Sequence, residues 1–381
     1  MDVGASTMEG LLVRLSRLFL FLGIAGALTA CSTLKYEKED QLKVNTEFEQ
    51  AVTIVKPSES SSEAAAANEK DKAASEKPAS PAADKKSLEK KVSPVKSKPA
   101  VTKKPVKSVK KGGKAAVAPV APTEPEVLRR QPEIEDEGGF ENGSRRPKQD
   151  PFRVGEEVVH DVHYFKVSAG ELRMKVEPFA MVNQRKSYTF AMEIKTSSLF
   201  SAFYKVEDRV ETFVDFETLV PSVFQLHVKE SGQLREAKML FDAEKNMATF
   251  WEKKVTKDHG EEEKKQQWEI PAFTQNVYSA LFYMRNFQWE TGKEYSFYVA
   301  NDNDNLVFSG KALRREVLNT KLGPMKAVVV QPHIVLKGKF QPIGDNFIWL
   351  SDDERKYVLR IESKIKIGTL VSEVVSIEPG K

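Results

Sequence analysis

Residues 156–182 read "EEVVHDVHYFKVSAGELRMKVEPFAMV". Apolar and charged side chains alternate along both halves, with Val158, Val162 and Tyr164 in the first and Leu172, Met174 and Val176 in the second. Side chains of an extended chain point to opposite faces in turn, so a period of two marks a strand with one buried face. Two such runs around Ala169 and Gly170 predict a strand pair with its turn there. The same signal recurs downstream, in "SYTFAMEIKTSS", "KVEDRVETFVD", "SVFQLHVKES", "EYSFYVAN", "NLVFSGKALRREVL", "MKAVVVQPHIV", "YVLRIESKI" and "GTLVSEVVSI". "REAKMLFDAEKNMATFWEKK" adds two strands around a turn at residues 243–246. These runs are rich in β-branched and aromatic residues, and Gly, Asn, Asp or Pro separates many of them. The expected fold is mainly β: a curved antiparallel sheet, as a β-roll or half-barrel, over residues 151–381.

One stretch breaks the pattern. "TQNVYSALFYMRNF" spaces Val277, Leu281 and Met284 at i, i+4 and i+7, which predicts a short helix over residues 275–286. Thr274 is the expected N-cap. Tyr278, Phe282 and Tyr283 widen the apolar face, so the helix should plug the concave side or open end of the sheet.

Upstream the composition changes. Residues 56–125 carry no aromatic residue and are dominated by Lys, Ala, Pro and Ser. Such a segment buries too little apolar surface to offset the entropy of ordering it, and is expected to be a disordered linker extending to residue 150. The net charge of +4 belongs to this basic segment, while the domain is close to neutral. A flexible tether of this length has an r.m.s. span of roughly 50–60 Å. The break in composition places the core entirely downstream of about Asp150.

The single cysteine lies in "LTACSTLKY", residues 28–36. Arg14 and Arg17 precede an uncharged run at residues 18–27, too short to span a membrane but of signal-peptide length. Leu28, Thr29, Ala30 and Cys31 then resemble the bacterial lipobox. That resemblance implies a signal peptide over residues 1–30 and a lipidated N-terminus over 31–55, with acyl chains on Cys31 as the membrane attachment. Ser32 rather than Asp after the cysteine implies the outer membrane, facing the periplasm. A nucleic-acid partner is not expected there.

Three motifs in the domain carry a second resemblance. Phe152, Val154, Gly155 and Glu156 open it; Ala169 and Gly170 follow; a short helix ends in Arg285; and Trp349, Leu350, Ser351 and Asp352 lead a turn near the end. In order and spacing these resemble domain of unknown function family 3108, a family of bacterial exported proteins. It implies a mostly antiparallel β-roll and no agreed activity or catalytic residue set. Asn276 stands where Asp is expected before the helix, and Tyr357 where proline is common.

Chemistry is sparse. His160 and His163 in "HDVH" lie three apart on a strand, so they diverge, and zinc needs three or four convergent ligands. A half-exposed strand is the expected setting, with no metal. "NDNDN" at 301–305 lacks the Gly and Glu of a calcium loop and reads as a hairpin turn. "SDDERK" at 351–356 is a turn or, with Trp349, Ser351, Asp352 and Asp353, a candidate recognition loop. There is no G-x-S-x-G elbow, P-loop or dinucleotide fingerprint. No catalytic residue and no cofactor is expected. Three functions remain in order: a non-enzymatic binding or structural module for a periplasmic protein or the cell wall; a lipid or lipoprotein carrier, which needs an apolar cavity of several hundred Å³; and a hydrolase.

Overall fold

The computed structural model describes residue 42, residues 46–57, and residues 149–381 apart from 166, 302, 337–338, 342–345 and 366–367. The chain divides into two units, residues 1–57 with 127–381, and residues 58–126. The second unit, Cys31, and most of the residues expected to form the signal peptide and the linker lie outside the described residues.

Alternation becomes strand almost everywhere it was expected. After a helix α1 (Thr46–Ala51) and a short strand β1 (Ile54–Val55), the domain runs β2 (Glu156–Tyr164), β3 (Val167–Val182), β4 (Arg185–Thr196), α2 (Ser198–Ser201), β5 (Glu207–Asp215), β6 (Pro221–Glu230), β7 (Gln233–Asp242), β8 (Met247–Thr256) and β9 (Gly260–Glu269). It continues through β10 (Gln275–Asn276), α3 (Val277–Tyr283), a 3₁₀ turn (Met284–Asn286), β11 (Glu294–Asn301), β12 (Asp304–Thr320) and β13 (Gly323–Leu336). Last come β14 (Lys339–Gln341), β15 (Asn346–Ser351), β16 (Val358–Ile365) and β17 (Gly368–Pro379).

Among the described residues these strands make one sheet. From β9 the order runs back to β2, passes to β17, and returns through β16, β15, β13 and β12 to β11. The ladders along this path are antiparallel; the two-residue β10 pairs parallel with β11. Chain ends thus meet in the middle of the sheet, where β2 pairs with β17. The sheet curls until its β9 edge meets the β11–β12 hairpin without a ladder. Trp268 Nε1 donates to Asn305 Oδ1 at 3.1 Å, and Asn305 Nδ2 donates to the Glu269 carbonyl at 2.8 Å. The charged run Glu261–Glu263 on β9 makes that edge a poor template for another chain.

The helix fills the concave side. Phe282 stacks on Phe190 of β4 with centroids 4.2 Å apart, and Tyr278 on Phe224 of β6 at 5.4 Å. Tyr283, Phe287, Trp289, Tyr295 and Phe297 continue the aromatic packing beneath β11. The N-cap is Asn276, not Thr274: its Oδ1 accepts from the Tyr278 and Ser279 N–H groups, and Ser279 Oγ accepts in return from the Asn276 N–H. Asn caps as well as Asp, so the departure from the family pattern leaves the helix start intact. Gln275 is spent differently, as strand and as donor to the Leu219 carbonyl.

Two further expectations need correction. The first strand pair turns at Phe165, not at Ala169–Gly170, which lie inside β3. Gly170 is required there by close approach: a Cβ would sit 2.4 Å from the Lys195 carbonyl oxygen. More consequentially, the core is not entirely downstream of Asp150. Residues 46–57 cover the outer face of β3–β8. Phe48 and Val52, one helical turn apart, are buried with Ala180, Val182, Phe213, Val223 and Trp251. Phe48 meets Trp251 edge-on at 5.8 Å, Trp251 Nε1 donates to Glu47 Oε2 at 3.1 Å, and β1 pairs with the end of β3. Lys56 closes the segment on Glu211 at 2.7 Å. Leu42 packs separately on Leu234 and Val255. Strands β4 and β5 are accordingly buried on both faces, which their near-continuous burial records.

Candidate functional site

The F-x-V-G-E opening, the helix-ending arginine and the turn after Trp349 converge on one buried ion cluster. Gly155, at φ +85°, makes the tight entry to β2 that a side chain would strain. It delivers Glu156, 2% exposed, into the interior. The 3₁₀ turn at the end of α3 delivers Arg285, 3% exposed. Its Nη1 and Nη2 donate to the two Glu156 carboxylate oxygens at 2.6 and 3.0 Å. Arg355, from the turn between β15 and β16, donates to Glu156 Oε2 at 2.6 Å.

Two guanidinium groups on one carboxylate leave a surplus positive charge, and backbone carbonyls absorb it. Pro151 O accepts from Arg285 Nη2 at 2.9 Å and from Arg355 Nε at 2.8 Å. Arg285 Nε donates to Arg355 O at 3.0 Å, and Arg355 Nη2 to Pro379 O at 2.7 Å. Aromatic faces complete the cage. The Arg285 guanidinium lies 5.2 Å from the Phe152 ring and 5.4 Å from the Tyr357 ring, and Arg355 lies 5.1 Å from Tyr357. Tyr357, where the family favours proline, is therefore a working part of the cluster. Burial pushes the neighbouring Lys356 ammonium below its ordinary pKa.

The turn at 351–356 exposes Asp352, Asp353 and Glu354 but is held by bonds within the domain. Asp353 Oδ1 accepts from Ser351 Oγ at 2.8 Å and from the Arg355 and Lys356 N–H groups. Asp352 pairs with Arg315 at 3.1 Å. Trp349 is buried, donates its Nε1 to Glu316 at 2.6 Å, and faces Arg360 at 5.4 Å. Ser351 is buried as well and accepts from the Tyr357 N–H. The four residues of the candidate recognition loop are thus engaged within the domain: Trp349 and Ser351 are interior, and the aspartates hold the turn that aims Arg355.

His160 and His163 do diverge, but His160 is fully buried rather than half-exposed. Its Nε2–H donates to the Val358 carbonyl at 2.8 Å, and Nδ1 accepts from Ser372 Oγ at 3.0 Å. Burial pushes its pKa down to about 4, so the ring is neutral. The 301–305 stretch forms the β11–β12 hairpin, with Asn303 at φ +69°.

Val158, Met174, Leu281, Phe282, Arg285 and Val358 line a pocket of about 10 Å³ beside the cluster. That is room for roughly one water. Glu156, Arg285 and Arg355 as a unit were outside the reach of spacing arguments, because they come from three distant segments. The signal that could have found them was the set of three shared motifs itself.

A family model described as "Protein of unknown function (DUF3108)" matches residues 159–375. No curated protein matches the chain. Among solved structures, a β-barrel-like protein of domain of unknown function DUF1849 from Brucella abortus is 9% identical. It covers 60% of this chain and 99% of its own, with a TM-score of 0.41. A protein with a YmcC-like fold from Bacteroides fragilis is 10% identical over 60% of this chain and 97% of its own, with a TM-score of 0.27. A Parabacteroides distasonis protein described as a candidate lipoprotein is 11% identical over 61% and 100%, with a TM-score of 0.25.

Proposed function

The chain belongs to the DUF3108 family of proteins of unknown function, and we propose on that premise that it is a bacterial lipoprotein, anchored through acylated Cys31 to the outer membrane and facing the periplasm. Its β domain acts as a non-enzymatic binding or structural module for a periplasmic protein or the cell wall. The observation that carries this reading is the docking of residues 46–57 on the domain, a few residues after the lipobox cysteine. An anchor at Cys31 is then joined directly to the fold. Ten residues separate Cys31 from buried Leu42, a reach of at most ~40 Å over eleven steps.

This changes the role of the basic segment. Residues 58–148 begin and end on the same domain, so their length does not set the distance between anchor and domain. The module works near the membrane rather than at the end of a long tether. The non-enzymatic part of the reading is supported by how the motif residues are used: Glu156, Arg285 and Arg355 bond to each other and to backbone carbonyls. The aromatic fill around α3 occupies the space where a carrier would hold an acyl chain.

Fractionation of cells making Cys31→Ser protein tests the anchor. The variant is expected in the soluble periplasmic fraction with its domain folded; a variant that still pelleted with the outer membrane would contradict it. Affinity capture of the wild-type protein from cross-linked envelopes identifies the partner class, with peptidoglycan fragments or one periplasmic protein expected.

A further inference from the structure

Leu42 marks where the chain comes onto the domain, and it does so at one particular rim. It packs on Leu234 and Val255, beside the β6–β7 turn at Ser231–Gly232. The rim continues sideways through direct contacts. Ser231 exchanges hydrogen bonds with Lys205, and Tyr204 donates to Glu230, which ties on the β4–β5 connection. That connection is tied in turn to the start of β3, through Ser197 N–H to the Ala169 carbonyl and Ser197 Oγ to the Ser168 carbonyl. The β2–β3 turn follows.

This rim exposes large apolar side chains. Leu199, in α2, is 60% exposed and Phe203, just after it, 74%; Phe165 is 68% exposed and Val167 43%, at the β2–β3 turn. Four such side chains on two adjoining loops make an apolar edge that a soluble surface has no reason to keep. The acidic run Glu261–Glu263 starts β9 at the same rim, with Glu261 paired to Val255 beneath Leu42, and lies on the side of Leu42 away from the apolar loops.

We propose that Phe165, Val167, Leu199 and Phe203 contact the lipid bilayer, seating the domain rim-down on the membrane that holds its anchor. The proposal rests on the reading of Cys31 as the lipidated residue, since Leu42, eleven positions after it, packs at this same rim. The acyl chains on Cys31 hold the N-terminus on the bilayer, and a rim contact would fix how the domain is turned on it. Large apolar side chains on loop tips, flanked by Lys195 and Lys205, can enter the headgroup boundary without carrying backbone into hydrocarbon.

The test separates rim from anchor by using the full chain with Cys31→Ser, which leaves no native cysteine. Ser198→Cys, beside Leu199, carries an environment-sensitive fluorophore; Lys245→Cys, in the β7–β8 turn at the opposite end, carries it as control. Vesicles of phosphatidylethanolamine with phosphatidylglycerol, and of phosphatidylcholine alone, are titrated in. The label at 198 is expected to shift to the blue with both compositions, because the contact is apolar, while the label at 245 stays unchanged. Adding Leu199→Ser and Phe203→Ser should raise the lipid concentration at half-shift about tenfold. No shift at 198, an equal shift at 245, or a shift that survives the serine pair would overturn the proposal. The rim contact alone is reversible, so a Cys31→Ser protein that stays membrane-bound in cells even with Leu199→Ser and Phe203→Ser added would instead count against the anchor.

Discussion

Arg285 and Glu156, 129 residues apart in sequence, face each other through two hydrogen bonds in the interior of the domain, with neither side chain more than a few per cent exposed. One comes from the end of α3, on the concave side, and the other from β2, which pairs with the last strand of the domain. The pair therefore locks the helix against the middle of the sheet, and Arg355 ties the last turn to the same carboxylate.

Removing Glu156 leaves two guanidinium groups without their counterion, and removing Arg285 leaves the buried Glu156 with Arg355 alone. Arg285→Ala and Glu156→Ala should each cost about 3–5 kcal/mol. Arg285→Lys should cost less but remain destabilising, because a point charge cannot repeat the two-pronged contact. Urea denaturation of the variants reads both, and a change within about 0.5 kcal/mol for Glu156→Ala would refute the clamp.

Phe48→Ala should destabilise the domain by about 3–4 kcal/mol, as expected for emptying a buried aromatic site. A chain beginning at Asp150 uncovers Phe213, Val223 and Trp251 and should unfold at lower urea than one beginning at Leu42. Equal midpoints would show that residues 46–57 add nothing.

His160 sets part of the acid limit. Its folded pKa, about 4, lies below the ordinary 6.5, so the unfolded chain binds a proton that the native state refuses. The stability is fully present above pH 6.5 and is lost as pH falls through about 4. His160→Gln should reduce the protons taken up on acid unfolding by about one, read from the pH dependence of the urea midpoint.

Asp208 acts in the opposite direction. Burial, and then the Glu230 carboxylate, push its pKa up to about 8 from 3.8. The native state holds a proton that the unfolded chain releases, so stability is greatest below about pH 4 for this group and is lost as pH rises through about 8. Asp208→Asn should remove this group's decline between about pH 4 and pH 8. An unchanged profile would mean that Asp208 is ionised throughout.

The sheet was legible because alternation needs only local sequence, and the helix because Val277, Leu281 and Met284 share a face. Thr274 misled as a cap because Gln275 and Asn276 first extend as strand; nothing local distinguishes the two choices. The docked segment was missed because α1 has six residues and two buried apolar anchors, Phe48 and Val52, too few to stand out beside a polar linker. The ion cluster depends on three chain segments brought together only by the sheet's return to β2.

The most direct test of the account is a cut in the chain between its docked segment and its β domain. A protease site placed at Gly112–Gly113 would be cleaved in isolated outer membranes, and the fate of residues 149–381 followed by sedimentation. The docked segment should hold the domain, so the C-terminal fragment is expected to stay with the membrane after complete cleavage, and to be released once Phe48→Ala and Val52→Ala are added. Quantitative release of the wild-type fragment on cleavage would show that residues 58–148 are the tether after all, and would contradict the account.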